Sequence, residues 1–215
     1  MKNKIGFLFD LDGVIIDSEP EYSRIWASIN EEFPTGIPGF EKVIKGTTLD
    51  KILFENYKDE NTRTKVRKRL HELENKMKYE YLPGAYEFLK ELKKRNLPLA
   101  LVTSSDKEKM QHLDEELPDF VSLFDFIVTA EYVKTSKPSP EGYLLAAQKI
   151  EADPQKCVVF EDSLQGVTAG KNAGAYVIGV SGTLSPDVLQ PYTDLIVDTL
   201  SDIKLDELIN KLSVR

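Results

Sequence analysis

The chain has a single cysteine, Cys157, among its 215 residues. One thiol cannot build an intramolecular disulfide framework, and such sparing use fits a reducing compartment. Cys157 opens the run Cys157-Val158-Val159-Phe160, which reads as a small buried hydrophobe and not as a nucleophile. No apolar run is long enough to span a membrane, and Asp10 and Asp12 interrupt the apolar stretch that follows the first lysines. Neither a membrane segment nor a signal peptide is read, and a cytoplasmic location is expected. Cations are outnumbered: 28 Lys+Arg against 36 Asp+Glu give a formal net charge of -8. That balance argues against nonspecific nucleic-acid binding, and any phosphate site must be built locally against the net field. Both histidines fall in helical stretches, His71 beside a charged stripe and His112 within a later helix, and both are expected at the surface. There is no internal repeat and no low-complexity segment. No Gly-x-Gly-x-x-Gly follows the first strand, which disfavours a dinucleotide site.

What is present begins at Ile5-Gly6-Phe7-Leu8-Phe9-Asp10-Leu11-Asp12-Gly13. A short apolar run of this kind suits a strand buried on both faces of a parallel sheet. It ends in two carboxylates, at the strand end where open α/β sheets bind ligands. Acids that close repel one another, and a hard divalent cation, Mg²⁺, fits an oxygen-only ligand set.

Helical spacing follows. Tyr22, Ile25, Trp26, Ile29 and Phe33 form one apolar face; Leu49, Ile52, Leu53 and Tyr57 a second; Val66, Leu70, Leu73 and Met77 a third. Phe33 to Gly39 reads as a loop and Lys45-Gly46-Thr47-Thr48 as a polar turn. Residues 18–81 thus read as a helical insert without a strand. After Pro83-Gly84 the rhythm changes. Helix faces at Phe88/Leu92, Met110/Leu113, Tyr143/Ala147 and Leu205/Leu212 alternate with strands at 97–102, 124–128, 157–160, 176–180 and 195–197. This alternation predicts an α/β fold, a doubly wound parallel sheet with helices on both faces.

Polar groups cluster just past the predicted strand ends: Asp10 and Asp12, Thr103-Ser104, Lys137, and Glu161-Asp162. In a doubly wound sheet such ends converge on one crevice. A carboxylate can attack phosphorus, a second can protonate the leaving oxygen, and a lysine can stabilise the charge of the transferring group. Taken singly, Lys137 could be a surface lysine, Thr103 a strand cap and Asp162 a helix N-cap. Their occurrence together in four loops favours phosphoryl chemistry.

On these residues the chain resembles the haloacid dehalogenase superfamily. Asp10-Leu11-Asp12-Gly13-Val14 is similar to its first motif and Val102-Thr103-Ser104-Ser105 to its second. Lys137-Pro138-Ser139-Pro140 is similar to the third, and Phe160-Glu161-Asp162-Ser163 with Gly166 to the fourth. The resemblance implies a Rossmann-like core of residues 1–17 and 82–215 and a helical cap of residues 18–81. It implies Asp10 as nucleophile and Asp12 as general acid/base with its backbone carbonyl on Mg²⁺. Thr103 would bind the phosphoryl group, and Lys137 would bridge Asp10 and the phosphate. Asp162 would ligate Mg²⁺, and Glu161 would support the metal directly or through water. Ser104 and the cap turn Lys45, Gly46 and Thr47 are expected to meet the substrate, a small phosphate ester.

Asp17-Ser18-Glu19-Pro20 and the cap turn are similar to the β-phosphoglucomutase-like branch. That branch's mutases carry a histidine where this chain has Tyr22, and an arginine after the cap glycine where it has Thr47-Thr48-Leu49. The expectation is therefore a Mg²⁺-dependent phosphatase of sugar or polyol phosphates, acting as a monomer through an aspartyl phosphate. β-Phosphoglucomutase is the alternative, and a non-catalytic metabolite binder the third. A receiver domain also forms an aspartyl phosphate, but it would lack the helical insert.

Overall fold

The computed structural model describes residues 4–45 and 47–214. Strands β1 (Gly6–Phe9), β2 (Leu99–Val102), β3 (Phe126–Val128), β4 (Cys157–Glu161), β5 (Tyr176–Val180) and β6 (Leu195–Val197) are all parallel, in the order β3-β2-β1-β4-β5-β6. Between β1 and β2 run helices α1 (Glu19–Glu32), α2 (Phe40–Val43), α3 (Leu49–Asn56), α4 (Glu60–Glu74) and α5 (Ala85–Lys94). The later helices are α6 (Lys107–Glu116), α7 (Glu141–Lys149), α8 (Leu164–Asn172), α9 (Pro186–Leu189) and α10 (Leu205–Ser213).

Alternation along the strands builds two cores. Phe7, Phe9, Leu99, Leu101, Val158 and Phe160 join a cluster that includes the apolar faces of α5, α6 and α10. Leu8, Ala100, Val102, Val159 and Val177 join the opposite cluster with Tyr143 and Ala147 of α7 and Val167 of α8. The sheet is therefore doubly wound. Phe9 stacks on Phe160 at a ring separation of 4.5 Å and meets the edge of Phe88. Truncating so enclosed an aromatic costs about 3–5 kcal/mol.

The chain leaves β1 through a tight turn in which Leu11 O accepts from Ile15 N (2.9 Å) and Ile16 N (3.1 Å), with Gly13 at φ 77°. It returns alongside itself: Ile16 bridges Tyr81, Leu82 N donates to Ile15 O, and Asp17 N to Glu80 O. Between these paired segments α1 packs on α2 and α4, and α3 packs on α4, with no sheet strand among the described residues. Their apolar faces, Ile25, Trp26, Phe40, Leu53 and Val66 among them, belong to the first cluster. No helix among the described residues is long and apolar enough to cross a membrane.

Four details differ from the sequence reading. The short helix α2 was not expected, because Pro38-Gly39 before it read as loop. β2 and β3 start two residues later than predicted, after Pro98 and after a 3-10 turn that ends at Leu123. α4 stops at Glu74, so Met77 is buried from the following turn. The histidines are not surface residues. His71 packs between α4 and α6, with Nδ1 2.5 Å from Glu108 and Nε2 3.5 Å from Asp106. His112 lies against the Tyr79 ring and 3.2 Å from the Met77 carbonyl. A helix that looks highly charged in sequence still needs an inner face, and these histidines lie where the helical segment meets the sheet domain.

Candidate active site

The strand order sets β1 beside both β2 and β4, so three C-terminal strand ends deliver their polar residues to one place. Asp10 follows β1, its N–H donating to Phe160 O at 3.0 Å. Lys137 comes from the loop before α7 and is 7 % exposed, which excludes the surface-lysine reading. Its ammonium has three protons and three acceptors: Asp10 Oδ1 at 2.5 Å, Glu161 Oε1 at 2.5 Å and Val102 O at 3.2 Å.

Glu161 is the last residue of β4 and is fully buried. A buried carboxylate is tolerated only when its acceptor sites are filled. Here Oε1 also accepts from Tyr143 Oη (2.8 Å), and Oε2 accepts from Asp162 N, Ser163 N and Ser163 Oγ (3.0–3.2 Å). A Cβ at position 166 would overlap this carboxylate, which explains the glycine of the fourth motif. Ser163 caps α8 by accepting from Gly166 N at 3.1 Å, so Asp162 is not the N-cap. Asp162 is buried instead beneath Gly13, where a Cβ would collide with its carboxylate.

Burial works against ionised Asp10 more than Lys137 works for it, and its pKa is pushed up to about 7. Burial also opposes the Lys137 ammonium, but Asp10 and Glu161 outweigh it and hold the pKa above the ordinary lysine value. Burial, with Glu161 next, raises the Tyr143 hydroxyl well above its usual range.

Carboxylate oxygens of Asp10, Glu161 and Asp162 lie within 4.8 Å of one another. A buried all-oxygen donor set of this size suits a hard divalent cation such as Mg²⁺. The Asp12 carboxylate is not in that group. It accepts from Lys109 Nζ on both oxygens (2.7 and 2.6 Å), from Ser18 Oγ, and from Ser105 Oγ at 3.4 Å. Thr103 is buried, and its hydroxyl accepts from Ser105 N at 3.0 Å while keeping a proton to donate.

Asp10, Asp12, Ser104 and Asp162 line one side of a cleft. Tyr22, Trp26, Lys45, Thr47 and Leu49 from the helical segment line the other. Lys45 and Thr47 thus face the same space as the carboxylates; Gly46 lies outside the described residues. Two residues of this site escaped the sequence reading. Lys109 is 5 % exposed and Glu74 is 7 % exposed, although both sit in charged stretches. The signal was available: Lys109 shares a helix face with Leu113, and Glu74 continues the Val66/Leu70 face.

A family model described as haloacid dehalogenase-like hydrolase matches residues 6–174. The chain is 36% identical over 180 residues to the phosphorylated carbohydrates phosphatase of Thermotoga maritima, covering 78% of this chain and 80% of that one. It is 34% identical over 207 residues to hexitol phosphatase A of Escherichia coli, covering 92% of each. Its structure overlays a crystal structure of β-phosphoglucomutase from Clostridium difficile with a TM-score of 0.80 at 28% identity, covering 99% of this chain and 100% of that one. The chain belongs to the haloacid dehalogenase-like hydrolases. It is an enzyme; the two curated relatives above are phosphatases of phosphorylated carbohydrates and hexitols, and its fold is shared with a β-phosphoglucomutase.

The protonation of Asp10 yields a test of the metal site. A carboxyl whose folded pKa lies above its ordinary value of 3.8 favours folding while protonated. In metal-free protein that stability is complete below about 3.8 and is lost as pH rises through about 7. A cation held by Asp10 and Asp162 would reverse the loss. Mg²⁺ is therefore expected to raise Tm more at pH 8 than at pH 5.5, and Asp162→Ala should remove the increment. An equal increment at both pH values, or one that survives Asp162→Ala, would take the metal away from these carboxylates.

Proposed function

We propose that the protein is a Mg²⁺-dependent phosphatase of small phosphorylated metabolites, sugar or polyol monophosphates above all, working through an aspartyl phosphate. The observation that carries this reading is the buried Asp10–Lys137–Glu161 array beside Asp162, opening on a cleft with Asp12 at its edge. The named activities of the carbohydrate and hexitol phosphatases support the substrate class. In this reading residues 18–81 act as a cap over a core of residues 1–17 and 82–215.

The chemistry assigns one role to each group. Asp10 attacks phosphorus and forms a new P–O bond as the ester oxygen leaves. Asp12 protonates that alkoxide, then takes a proton from the water that attacks the aspartyl phosphate. Lys137 and the Thr103 hydroxyl hold the equatorial oxygens. Asp10 and Asp162, with the Asp12 backbone carbonyl, would hold Mg²⁺, and Glu161 orients Lys137 from behind. The cation supplies charge neutralisation between the attacking carboxylate and the phosphate.

The cleft wall at Ile44, Leu49 and Ile52 is apolar. None of the described residues that line the cleft carries a guanidinium for a second phosphate, which favours hydrolysis over the mutase reaction. Phosphate release from a panel of phosphometabolites, with Mg²⁺ and with EDTA, tests the proposal. Conversion of β-glucose 1-phosphate to glucose 6-phosphate faster than phosphate release would overturn it in favour of the mutase.

Substrate choice should reside in the cap turn. Substituting Lys45 or Thr47 is expected to shift relative kcat/KM among sugar phosphates by roughly tenfold, with little effect on an aryl phosphate that makes few cap contacts. Equal losses for every substrate would place the turn in the catalytic apparatus instead.

A further inference from the structure

We propose that Lys109 is a positioning residue for Asp12: its ammonium holds the Asp12 carboxylate at the cleft edge, in the orientation from which it serves the leaving oxygen. The inference rests on the reading of Asp12 as general acid/base and adds a residue to it.

The geometry is specific. Lys109 lies in the first turn of α6, yet its side chain is 5 % exposed. Its Nζ lies 2.7 and 2.6 Å from the two Asp12 oxygens, and the Asp12 side chain is 22 % exposed. The ammonium also sits 4.2 Å from the centroid of the Tyr22 ring, a cation–π contact. The Tyr22 hydroxyl donates to Glu74 Oε1 at 2.6 Å. Lys109 is thus closed in by Asp12 on the sheet side and by Tyr22 on the helical side.

The electrostatics give it a task. Asp12 stands two residues from Asp10, and once it has given its proton to the leaving oxygen its carboxylate is repelled by the acids already at the strand ends. With solvent to one side, an unanchored Asp12 would turn outward. Ser18 and Ser105 supply dipoles, but Lys109 supplies the countercharge. An ammonium also suits a group that must move slightly during turnover. It is a point charge with rotatable donors, so the carboxylate can pivot toward the substrate without losing it, as a bidentate guanidinium fork would not allow.

The test compares two leaving groups and then closes a double-mutant cycle. From a hexitol phosphate the hexitol leaves as an alkoxide and needs the acid; from p-nitrophenyl phosphate the p-nitrophenol leaves as a stable phenolate and does not. Lys109→Met should lower kcat for hexitol phosphate by about 10- to 100-fold, a substantial part of a general acid's contribution. It should leave the first-turnover burst of p-nitrophenol within about threefold of wild type. In an Asp12→Asn background, assayed at high enzyme concentration, the same substitution should cost less than about threefold further, because a residue that acts through Asp12 has nothing left to position. Lys109→Gln serves in the same cycle if the methionine variant fails to fold by its melting curve. An unchanged kcat for hexitol phosphate, an equal loss in the p-nitrophenol burst, or the full loss repeated in the Asp12→Asn background would overturn the role. A wild-type protein that releases phosphate from no monoester would strike the phosphatase reading first, and this inference with it.

Discussion

Asp10→Asn is expected to lower turnover by at least about 10⁴-fold while leaving the melting temperature close to that of the parent protein. An amide has the shape of the carboxylate but cannot become an acyl phosphate. The fold should tolerate it because burial already disfavours the Asp10 charge and raises its pKa to about 7. Lys137 would keep Glu161 at 2.5 Å and the Val102 carbonyl at 3.2 Å, so no buried charge loses its last partner. Phosphate release and thermal melting, measured on the same preparation, check both halves. Activity within tenfold of the parent would remove Asp10 as the nucleophile.

Lys137→Met should behave differently, losing activity and stability together. The lysine sits between two carboxylates, one of them fully buried. Removing it strands Glu161 with hydrogen-bond donors but no cation. Breaking a buried ion pair from one side costs about 3–5 kcal/mol. The lost stabilisation of the transferring phosphoryl group should lower kcat by about 10²- to 10³-fold. Urea unfolding would register the first effect as a lower midpoint with an unchanged slope. A midpoint equal to that of the parent would mean that Tyr143 Oη, Ser163 Oγ and two backbone N–H groups satisfy Glu161 by themselves. The pair of variants separates the two proposed roles: a reacting group at Asp10, and at Lys137 a cation that also holds the site together.

Much of this was legible in the sequence for one physical reason. A parallel sheet buries its strands on both faces, so each strand is an apolar run, and the first polar residue after it marks the ligand edge. Asp10 and Thr103 were read in that way, Glu161-Asp162 together after the run that ends at Phe160, and Lys137 in the loop after β3. Glu161 was read as lying past the strand, but it is its last residue, a buried carboxylate that hydrogen bonds make tolerable. What the sequence hid lies on helices rich in charge. Lys107-Glu108-Lys109 gives a sequence reading nothing but charge, until the end of β2 sets the start of α6 over Asp12 and one of its lysines becomes a buried partner. Glu74 and His71 were missed alike, because a four-residue spacing is weak evidence when the residue carrying it is ionisable. The short helix α2 had no periodicity to read.

The central place of β1 also bears on how the protein is made. Phe7 pairs with Leu99 and Gly6 with Cys157, partners roughly 90 and 150 positions further along the chain. On a ribosome, β1, which presents Asp10, emerges before the other five strands. It can join β2 only after the helical segment has been synthesised, and it gains its second neighbour, β4, only after α7 has followed. Such distant pairings are slow to close and leave an apolar strand edge exposed meanwhile. Asp10, Lys137 and Glu161 can meet only when β4 docks, so catalytic competence should wait for a strand made long after the one that carries Asp10.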